Sequence, residues 1–412
     1  MIYGGNNMFY INILFNKGDF MINNFIKKII FQEEKQLNNY VNLIASENKP
    51  SKAIHKILGS CLQDRYTEGY PGHRHYAGCE IIDKSEQFAI DQACKLFKCN
   101  FANVQPWSGS QANAAVFNAL LKPGDKVMSL SLAEGAHLTH GSKFTFSGKY
   151  FKHVEYKLDD KGFIDYKDFE KVLNTEKPDL VIAGCSAYPR EINFKKLRDI
   201  ITKYKRKNGL LVYPYFMVDM AHIAGLVATE THMSPLPYAD VVTSTTHKTL
   251  RGPRGGLILW NNESLTKKIN SSVFPGIQGG ANQACIAAKA QCFIEAQKPK
   301  FKKYCQQIIK NTKALQKGIE DSNKDLIFLT NGSDNHMLLL NVSKVMTGQE
   351  AEDLLYKNKI ICNKNMIKGD EKPSQSSGIR IGTAFMTTKG WKEKQFYKLG
   401  LKIGKILSKN EN

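Results

Sequence analysis

The sequence predicts an α/β protein whose core is a mostly parallel β-sheet. Short apolar segments rich in β-branched residues alternate with segments in which apolar residues recur at helical spacing, and glycine-rich turns lie between them. This alternation is typical of a parallel sheet covered by helices on both faces. The length of 412 residues allows one large core and a second, smaller domain.

The predicted elements follow from these patterns in chain order. Helices are expected over residues 22–38, 51–62, 81–97, 108–121 and 193–207, and in a long run that ends at 321. The strands of the large sheet are expected at 101–106, 126–132, 179–185, 216–220, 240–246 and 255–260. The remainder of the chain mixes short strands, at 337–342 and 379–382, with helices and predicts a second α/β domain.

The charge balance is strongly positive. The chain carries 58 Lys and Arg against 38 Asp and Glu, a formal net charge of +20. A surface for nucleic acid is one interpretation. Because only eight of the 58 are arginine and the lysines are spread evenly, we favour a compositional bias and expect no nucleic-acid partner.

The cysteine pattern and the apolar runs indicate a cytoplasmic protein. Nine cysteines are scattered without a C-x-x-C pair, which favours free thiols in a reducing compartment over disulfides or a zinc site. No apolar run reaches the roughly 18 residues of a membrane span, and the N-terminal region lacks the features of a secretory signal. Because Met21 precedes a helical segment, we expect residues 1–20 to be dispensable.

Arginine is rare in this chain, so its positions are informative. A guanidinium binds carboxylate or phosphate with two parallel hydrogen bonds, which an ammonium cannot do. Five of the eight arginines lie in glycine-rich or site-like segments: Arg65, Arg74, Arg251, Arg254 and Arg380.

Lys248 is the first candidate catalytic residue. It follows the β-branched segment 241–246 and precedes a rigid Gly-Pro-Arg-Gly-Gly turn, a position where function collects in open α/β sheets. An exposed lysine has a pKa of about 10.4 and is a poor nucleophile at neutral pH. Enzymes that form Schiff bases activate the lysine by burial, by nearby positive charge and by a cofactor that accepts electrons. Pyridoxal 5'-phosphate (PLP) is such a cofactor, and its pocket also needs a carboxylate, a phosphate cradle and a cover for the ring.

Asp219 is the candidate carboxylate, since it ends an otherwise apolar strand. A buried aspartate without a partner would cost several kcal/mol or stay protonated. A protonated pyridine nitrogen would explain its position, and His222 is close enough in sequence to reach the phenolic oxygen of the cofactor. The alternative for Asp219 is a helix N-cap.

The segment 108–111, Ser-Gly-Ser-Gln, opens a helix, so its amides and hydroxyls are suited to an anion. An ordinary helix cap is the alternative. Gly279 and Gly280 would bring further backbone amides to a phosphate, and His137 would stack on the ring unless it is a structural histidine. His137 and His222 lack metal-ligand spacing, so no metal is expected.

Two further features suit an amino-acid substrate. Arg380 lies on a short strand of the second domain, where a substrate α-carboxylate is its natural partner and a structural ion pair is the alternative. The loop 65–80 contains glycines, a proline, three tyrosines and two arginines. It is crowded with groups that bind or transfer protons, although an ordinary tyrosine-bearing turn would share this composition.

Ten motifs together carry a family resemblance. Over nearly all of residues 22–408 the chain resembles serine hydroxymethyltransferase, a PLP-dependent enzyme family of fold type I. The motifs are NLIASEN, EGYPG, NVQPWSGSQAN, HLTHG, VDMAHIAGLVA, TTHKTLRGPRGG, FPGIQGG, SDNH, NKN and SGIRIGT.

The resemblance implies the domain organisation. A large PLP-binding domain would contain a mixed, mostly parallel seven-stranded sheet, followed by a smaller C-terminal α/β domain. We therefore expect an N-terminal arm over residues 1–65, the large domain over 66–290 and the small domain over 291–412.

The resemblance also implies how the cofactor is held. Lys248 would carry PLP as the internal aldimine, with His247 near the phosphate and Arg254 tuning the lysine. Asp219 would pair with the pyridinium nitrogen, and His137 would stack on the ring. The other residues implied to contact the cofactor are Ser46, Gly109, Ser110, Gln111, Ser186, His222 and, from a partner subunit, Tyr66 and Gly280.

For the amino-acid substrate the resemblance implies a second set of residues. Arg380 would bind the carboxylate, assisted by Ser46 and by Tyr76 across the subunit interface. Glu68 would handle the proton at the one-carbon transfer. Because Tyr66, Glu68 and Tyr76 are implied to act in the neighbouring site, the active unit would be a homodimer, or a tetramer built from it.

The implied reaction is the reversible conversion of L-serine and tetrahydrofolate to glycine and 5,10-methylenetetrahydrofolate through an external aldimine of PLP. Leu132 and residues 364–374 would line the site for tetrahydrofolate, the cosubstrate. The chain differs from the usual family pattern at His75, at Glu134 and Ala136, at Ser374 and in an insertion around 205–214. These differences concern folate binding more than PLP chemistry.

Two rival functions remain at this stage. A PLP-dependent lyase such as a threonine aldolase would use the same Lys248 and Asp219 without folate. A protein that binds RNA through its positive charge would show a steep dependence of binding on salt.

Overall fold

The computed structural model describes residues 22–208, 214–372 and 375–408, without the side chains of 205–208. Residues 1–20, Ser374 and residues 209–213 of the 205–214 insertion lie outside the described residues. The chain divides into two compact units, with the boundary between Asn42 and Leu43. Within the first unit, helix α1 (Asn24–Asn39) precedes strand β1 (Val41–Asn42).

The second unit contains the remaining helices. Those before the middle of the chain are α2 (Lys52–Leu58), α3 (Glu80–Phe97), α4 (Gly109–Leu120), α5 (Phe146–Tyr150), α6 (Tyr166–Glu176) and α7 (Phe194–Asn208). Those that follow are α8 (Ala224–Ala228), α9 (Thr266–Val273), α10 (Gln283–Ala296), α11 (Pro299–Ser322), α12 (Gly348–Lys357), α13 (Ala384–Thr388) and α14 (Glu393–Ile406). No described helix is long and apolar enough to cross a membrane.

A seven-stranded sheet forms the core of this unit. Its strands are β4 (Phe101–Asn103), β5 (Lys126–Leu130), β6 (Lys152–Tyr156), β7 (Leu180–Ala183), β8 (Tyr215–Asp219), β9 (Val241–Thr245) and β10 (Gly256–Trp260), in the order β4-β10-β9-β8-β7-β5-β6. Strands β5 to β9 pair in parallel, and β10 is antiparallel to both of its neighbours. The predicted α/β fold with a mixed, mostly parallel seven-stranded sheet is confirmed.

The sheet is covered on both faces, which explains the continuous apolar runs. Every residue of β7, β9 and β10 is buried. Alternate residues of β7 pack into opposite cores: Val181 and Ala183 join one apolar cluster, and Leu180 and Ile182 join the other. This alternation follows from the two-residue period of a strand.

The smaller strands form separate hairpins and a second sheet. Strands β2 (Gly69–Tyr70) and β3 (His73–Arg74) pair with each other inside the 65–80 loop. Strands β11 (Ile327–Phe328), β12 (Met337–Asn341), β14 (Asn363–Asn365) and β15 (Gly378–Gly382) form an antiparallel sheet in the order β11-β12-β15-β14, and β13 (Ile360–Ile361) lies before β14. The C-terminal strands predicted at 337–342 and 379–382 are β12 and β15.

Two of the differences from the predictions have a local physical reason. The single helical run expected to end at 321 is two helices, α10 and α11, because Pro299 lacks an amide hydrogen and starts a new helix at its first position. Strand β6 was not predicted, since its sequence KHVEY is polar and its position at the edge of the sheet leaves most of it partly exposed.

The carboxyl ends of the parallel strands bring polar residues together at one end of the sheet. Ser186 follows β7, Asp219 ends β8 and Lys248 follows β9. Gly184 has a φ of +96°, and a Cβ there would collide with the carbonyl of Asp219. Glycine at this position therefore lets the end of β7 approach the end of β8.

Candidate active site

A cavity lies at the carboxyl ends of these strands. Its volume of about 730 Å³ is typical of small-molecule sites. The structure brings together twelve of the predicted site residues in its lining. They are Ser46, Gly109, Ser110, Leu132, His137, Ser186, Asp219, His222, His247, Lys248, Arg254 and Arg380.

Lys248 is buried, with 8% of its surface exposed. Burial, aided by the positive charges of Arg380 and Arg254, lowers its pKa to about 8, although Asp219 opposes the shift. Among the described residues its Nζ has no hydrogen-bond or ion-pair partner. A buried amine with a lowered pKa and no partner is suited to act as a nucleophile.

Asp219 is held as a carboxylate. Burial alone would raise its pKa, but the hydrogen bond from His140 and nearby positive charge outweigh burial and keep the pKa below its usual range. Oδ2 lies 3.1 Å from His140 Nε2 and accepts from Asn113 Nδ2 at 2.9 Å, while Oδ1 accepts from the Ala221 amide at 3.0 Å. The next helix, α8, has its N-cap at Ile223, so Asp219 is not the N-cap that we considered as an alternative.

His140 and Asn113 were not predicted as site residues, although both lie within motifs that carry the family resemblance. Asn113 also accepts from Thr243 Oγ1 at 2.7 Å and donates to Thr139 Oγ1 at 2.8 Å. These partners come from the strand, the helix and the loop that surround Asp219. The HLTHG and SGSQAN motifs were the available signal, but sequence spacing alone does not show which polar side chain meets the carboxylate.

Two of the site histidines are kept neutral. Burial and the neighbouring His140 lower the pKa of His137 to about 4, and its Nδ1 lies 2.7 Å from Thr139 Oγ1. Burial likewise lowers the pKa of His222, whose Nδ1 lies 3.3 Å from Nε2 of the fully buried His336. His336 belongs to the SDNH motif and was not predicted as a neighbour of the site.

The start of α4 has the character of an anion site. A Cβ at Gly109 would lie 2.6 Å from Thr245 Cγ2, so a larger residue would displace the strand behind it. Thr245 Oγ1 and His247 Nδ1 are buried and have no hydrogen-bond partner among the described residues, and both residues line the cavity. Buried polar atoms without partners are unfavourable unless a ligand completes them.

The Ser108 and Gln111 side chains belong to the cap of this helix. Ser108 Oγ accepts from the Gln111 amide at 3.2 Å, and Gln111 Oε1 accepts from the Trp107 amide at 3.0 Å. The cap and the anion site therefore coexist in the same turn. Gln111 itself is absent from the lining that the described residues form.

Behind the anion site lies a fully buried lysine, Lys289 of α10. Its Nζ donates to the carbonyls of Val104 at 2.6 Å, Gly256 at 2.9 Å and Pro106 at 3.0 Å. The three acceptors use all three of its hydrogens. Lys289 thus fastens the segment before α4 to the start of β10, next to the turn that contains Arg254.

Arg380 lies on β15 and reaches the cavity. Nη1 donates to the Ser186 carbonyl at 2.6 Å and Nε donates to Asn363 Oδ1 at 3.2 Å. Burial lowers its pKa to about 10, a value at which it stays charged at neutral pH. Among the described residues no carboxylate forms an ion pair with it, so the structural ion pair considered from sequence is not formed there.

Four predicted residues, Tyr66, Glu68, Tyr76 and Gly280, do not contribute to the lining formed by the described residues. They contact one another instead. The rings of Tyr66 and Tyr76 are 5.2 Å apart at 71°, and a Cβ at Gly280 would lie 3.7 Å from Tyr66 Cε1 and 3.9 Å from Glu68 Cγ. Tyr66 is 61% exposed and Tyr76 46% exposed.

The residues present fit PLP. The cavity combines an activated amine, an ionised carboxylate, a glycine-lined helix start with unpaired polar atoms beside it, and a neutral histidine. Among the described residues no group of three or more His, Cys, Asp or Glu side chains is arranged to hold a metal ion. The fold and this set of side chains define a PLP-dependent enzyme of fold type I.

Comparison with known proteins identifies the family. The chain belongs to the serine hydroxymethyltransferase family, whose model matches residues 20–403. It is 49% identical over 402 residues to the serine hydroxymethyltransferase of Rickettsia massiliae (strain Mtu5). The aligned region covers 97% of this chain and 93% of that protein. The chain is 52% identical over 385 residues to that of Orientia tsutsugamushi (strain Ikeda), covering 93% and 88%, and 50% identical over 390 residues to that of Rickettsia africae (strain ESF-5), covering 94% and 90%. The resemblance inferred from the motifs is confirmed.

Proposed function

We propose that the chain catalyses the reversible transfer of a hydroxymethyl group from L-serine to tetrahydrofolate, with PLP bound at Lys248. The observation that carries the proposal is the convergence of Lys248, Asp219 and Arg380 on one cavity. A nucleophilic amine, a buried carboxylate and an arginine without a carboxylate partner are the three groups that a PLP enzyme acting on an amino acid needs.

At the cofactor end, each residue has a defined task. Bound PLP supplies a protonated ring that accepts the electron pair released at the α-carbon of the amino acid. Asp219 keeps the proton on the ring nitrogen, because its own pKa is held low. The amides of Gly109 and Ser110, with Thr245 Oγ1 and His247 Nδ1, would bind the phosphate.

The remaining cofactor contacts would orient the ring. His137, neutral at physiological pH, would cover one face of the ring. Ser186 and His222 would bind the phenolic oxygen, and Gln111 would support the cradle through its helix cap. Arg254 would lower the pKa of Lys248, as its charge does in the structure.

At the substrate end, Arg380 would bind the α-carboxylate with its free donors while the Ser186 carbonyl and Asn363 fix the guanidinium plane. Ser46 lines the cavity of its own chain and would assist it. The Lys248 amine would take and return protons at the α-carbon. Leu132 and the segment 364–366 would contact the folate.

We further propose a homodimer with shared sites, able to associate into a tetramer. Tyr66, Glu68, Tyr76 and Gly280 would act in the partner's cavity, where Glu68 would hold the proton of the serine hydroxyl. Their mutual contacts and the exposure of both tyrosines support this arrangement. The nine free cysteines support a cytoplasmic location.

The proposed domain division keeps 1–65 as an arm, 66–290 as the large domain and 291–412 as the small domain. The seven-stranded sheet spans Phe101 to Trp260 and the four-stranded sheet spans Ile327 to Gly382, which supports a boundary between them.

The experiment that tests the function is cleavage of serine with and without tetrahydrofolate. The proposal expects strong stimulation by folate and formation of glycine. Cleavage of β-hydroxy amino acids that does not respond to folate would instead assign the chain as an aldolase.

A further inference from the structure

Two of the segments that line the cavity are those expected to contact the folate. One contains Leu132, from the turn that follows β5. The other, which we call the β14 wall, consists of residues 364–368, of which Lys364, Asn365 and Met366 line the cavity. The spacing of these two segments would determine how the second substrate fits the cavity.

Lys368 ties the β14 wall to the segment that follows β6. Its Nζ donates to the Leu158 carbonyl at 2.9 Å, to the Asp159 carbonyl at 3.2 Å and to Asp160 Oδ1 at 3.2 Å. All three hydrogens of the ammonium are therefore used in one short segment of the large-domain side.

Glu134 holds the same segment from the side of Leu132. It is 7% exposed, its Oε1 accepts from the Leu158 amide at 3.1 Å, and its Oε2 accepts from Ser131 Oγ at 3.4 Å. The two polar groups of one residue, Leu158, are thus bound by Glu134 on one side and by Lys368 on the other. The opposite charges of the two side chains favour the same arrangement.

The junction is tightly packed. Glu134, Leu158, Met366 and Lys368 surround an internal cavity of only about 10 Å³, no more than the space for one water molecule. Ile367, between the two wall residues, is buried. Glu134 therefore has little free space to absorb a change, whereas the Lys368 side chain is 41% exposed and acts through its hydrogen bonds to the segment that follows β6.

We propose that Glu134 and Lys368 are positioning residues for the second substrate: acting through Leu158, they fix the spacing between Leu132 and the β14 wall and so determine the affinity for tetrahydrofolate. The proposal rests on the proposed function and adds a determinant of folate affinity outside the residues that line the cavity. It assigns a task to Glu134, a position at which the chain differs from the usual family pattern.

The test measures the two substrates separately in Lys368→Met and Glu134→Gln. Serine and glycine affinity is followed by the absorbance change of the PLP-bound protein, and tetrahydrofolate affinity by calorimetric titration in the presence of glycine. Each variant is expected to weaken folate binding by up to about tenfold, because Lys368→Met removes the hydrogen bond to the Leu158 carbonyl and Glu134→Gln removes the charge from the bond to the Leu158 amide. The dissociation constant for serine should change by less than about twofold.

Two further variants separate positioning from general damage. Lys368→Arg keeps hydrogen-bond donors at this position and should recover most of the folate affinity. Lys317→Met removes a lysine from an exposed ion pair with Asp321 on α11, and this variant should bind folate as the unchanged protein does. The double variant should weaken binding by less than the product of the single effects, because both residues act through Leu158.

The outcomes are distinct. Unchanged folate affinity in both single variants, or an equal loss of serine and folate affinity, overturns the proposal. If the unchanged protein neither binds nor responds to tetrahydrofolate, the proposed function fails and the inference fails with it. Titration of the unchanged protein with tetrahydrofolate identifies that result without any variant.

Discussion

His140 Nε2 lies 3.1 Å from Asp219 Oδ2, and the two side chains are only 1% and 10% exposed. The contact joins the loop that carries His137 to the end of β8. Together with Asn113 it fixes the direction in which the carboxylate faces the cavity. The low pKa of Asp219 depends in part on a residue outside the predicted set.

Replacement of Asp219 by asparagine tests the importance of that charge. The amide keeps the size of the side chain but cannot hold a proton on the ring nitrogen, so serine turnover at saturating PLP should fall by about 10²–10³-fold. Asp240→Asn, at the opposite end of the neighbouring strand β9, controls for loss of a partly buried aspartate that also binds a backbone amide. Equal losses of activity in the two variants would contradict the assignment.

The lowered pKa of Lys248 predicts a pH dependence for the cofactor-free protein. The amine is protonated below about 8 in the folded chain and below about 10.5 when unperturbed. Between these values the unfolded chain holds a proton that the folded chain has released, so the free energy of unfolding should rise with pH across this window. The rate of PLP capture should rise about tenfold per pH unit below pH 8 and then level off.

The measurement compares the cofactor-free protein with Lys248→Met by denaturant unfolding at several pH values. The variant should lack the stabilisation that the unchanged protein gains above pH 8, and borohydride should no longer trap PLP on it. Continued trapping would place the reactive lysine elsewhere.

Arg380→Lys should separate substrate binding from cofactor binding. A lysine cannot form two parallel hydrogen bonds to a carboxylate while the Ser186 carbonyl fixes its orientation. The KM for serine should rise at least about tenfold, while the affinity for PLP stays the same. Arg190→Lys, whose partner Asp334 lies 2.8 Å away in the chain itself, is the matched control, and an equal KM effect there would count against a carboxylate-binding role.

Shared sites predict complementation between inactive subunits. Glu68→Ala and Lys248→Ala are each expected to be inactive in serine cleavage. After mixing and reassociation, half of the dimers are mixed and each has one complete site, so about a quarter of the activity should return. A mixture that stays inactive although mass spectrometry detects mixed dimers would show that Glu68 serves the cavity of its own chain.

Much of the core could be predicted from the sequence because its strands are buried on both faces. Continuous apolar or β-branched runs made β7, β8, β9 and β10 recognisable, and the polar residues that end or follow such runs indicated the site. Strand β6 escaped prediction because an edge strand does not need an apolar sequence.

The contacts that complete the site could not be predicted in the same way. Lys248, Asp219 and Arg380 were identifiable from residue type and local context. The partners of these residues come from distant parts of the chain: Arg380 binds the Ser186 carbonyl across 194 residues, and His222 meets His336 across 114. Composition and spacing carry no information about contacts over such distances in sequence. The roles of His140, Asn113 and His336 were therefore recognisable only from the folded structure.

The carbonyl contacts of Lys289 bear on the order of events during synthesis. Val104 and Lys289 are 185 positions apart, so the segment that leads into the start of α4 remains unfastened until α10 has left the ribosome. Most of the seven-stranded sheet is already available for folding by then, since β10 ends at Trp260 and chains fold from the N-terminal side as they emerge. The segment before α4 therefore gains its contacts with Lys289 only after most strands of the central sheet have been synthesised.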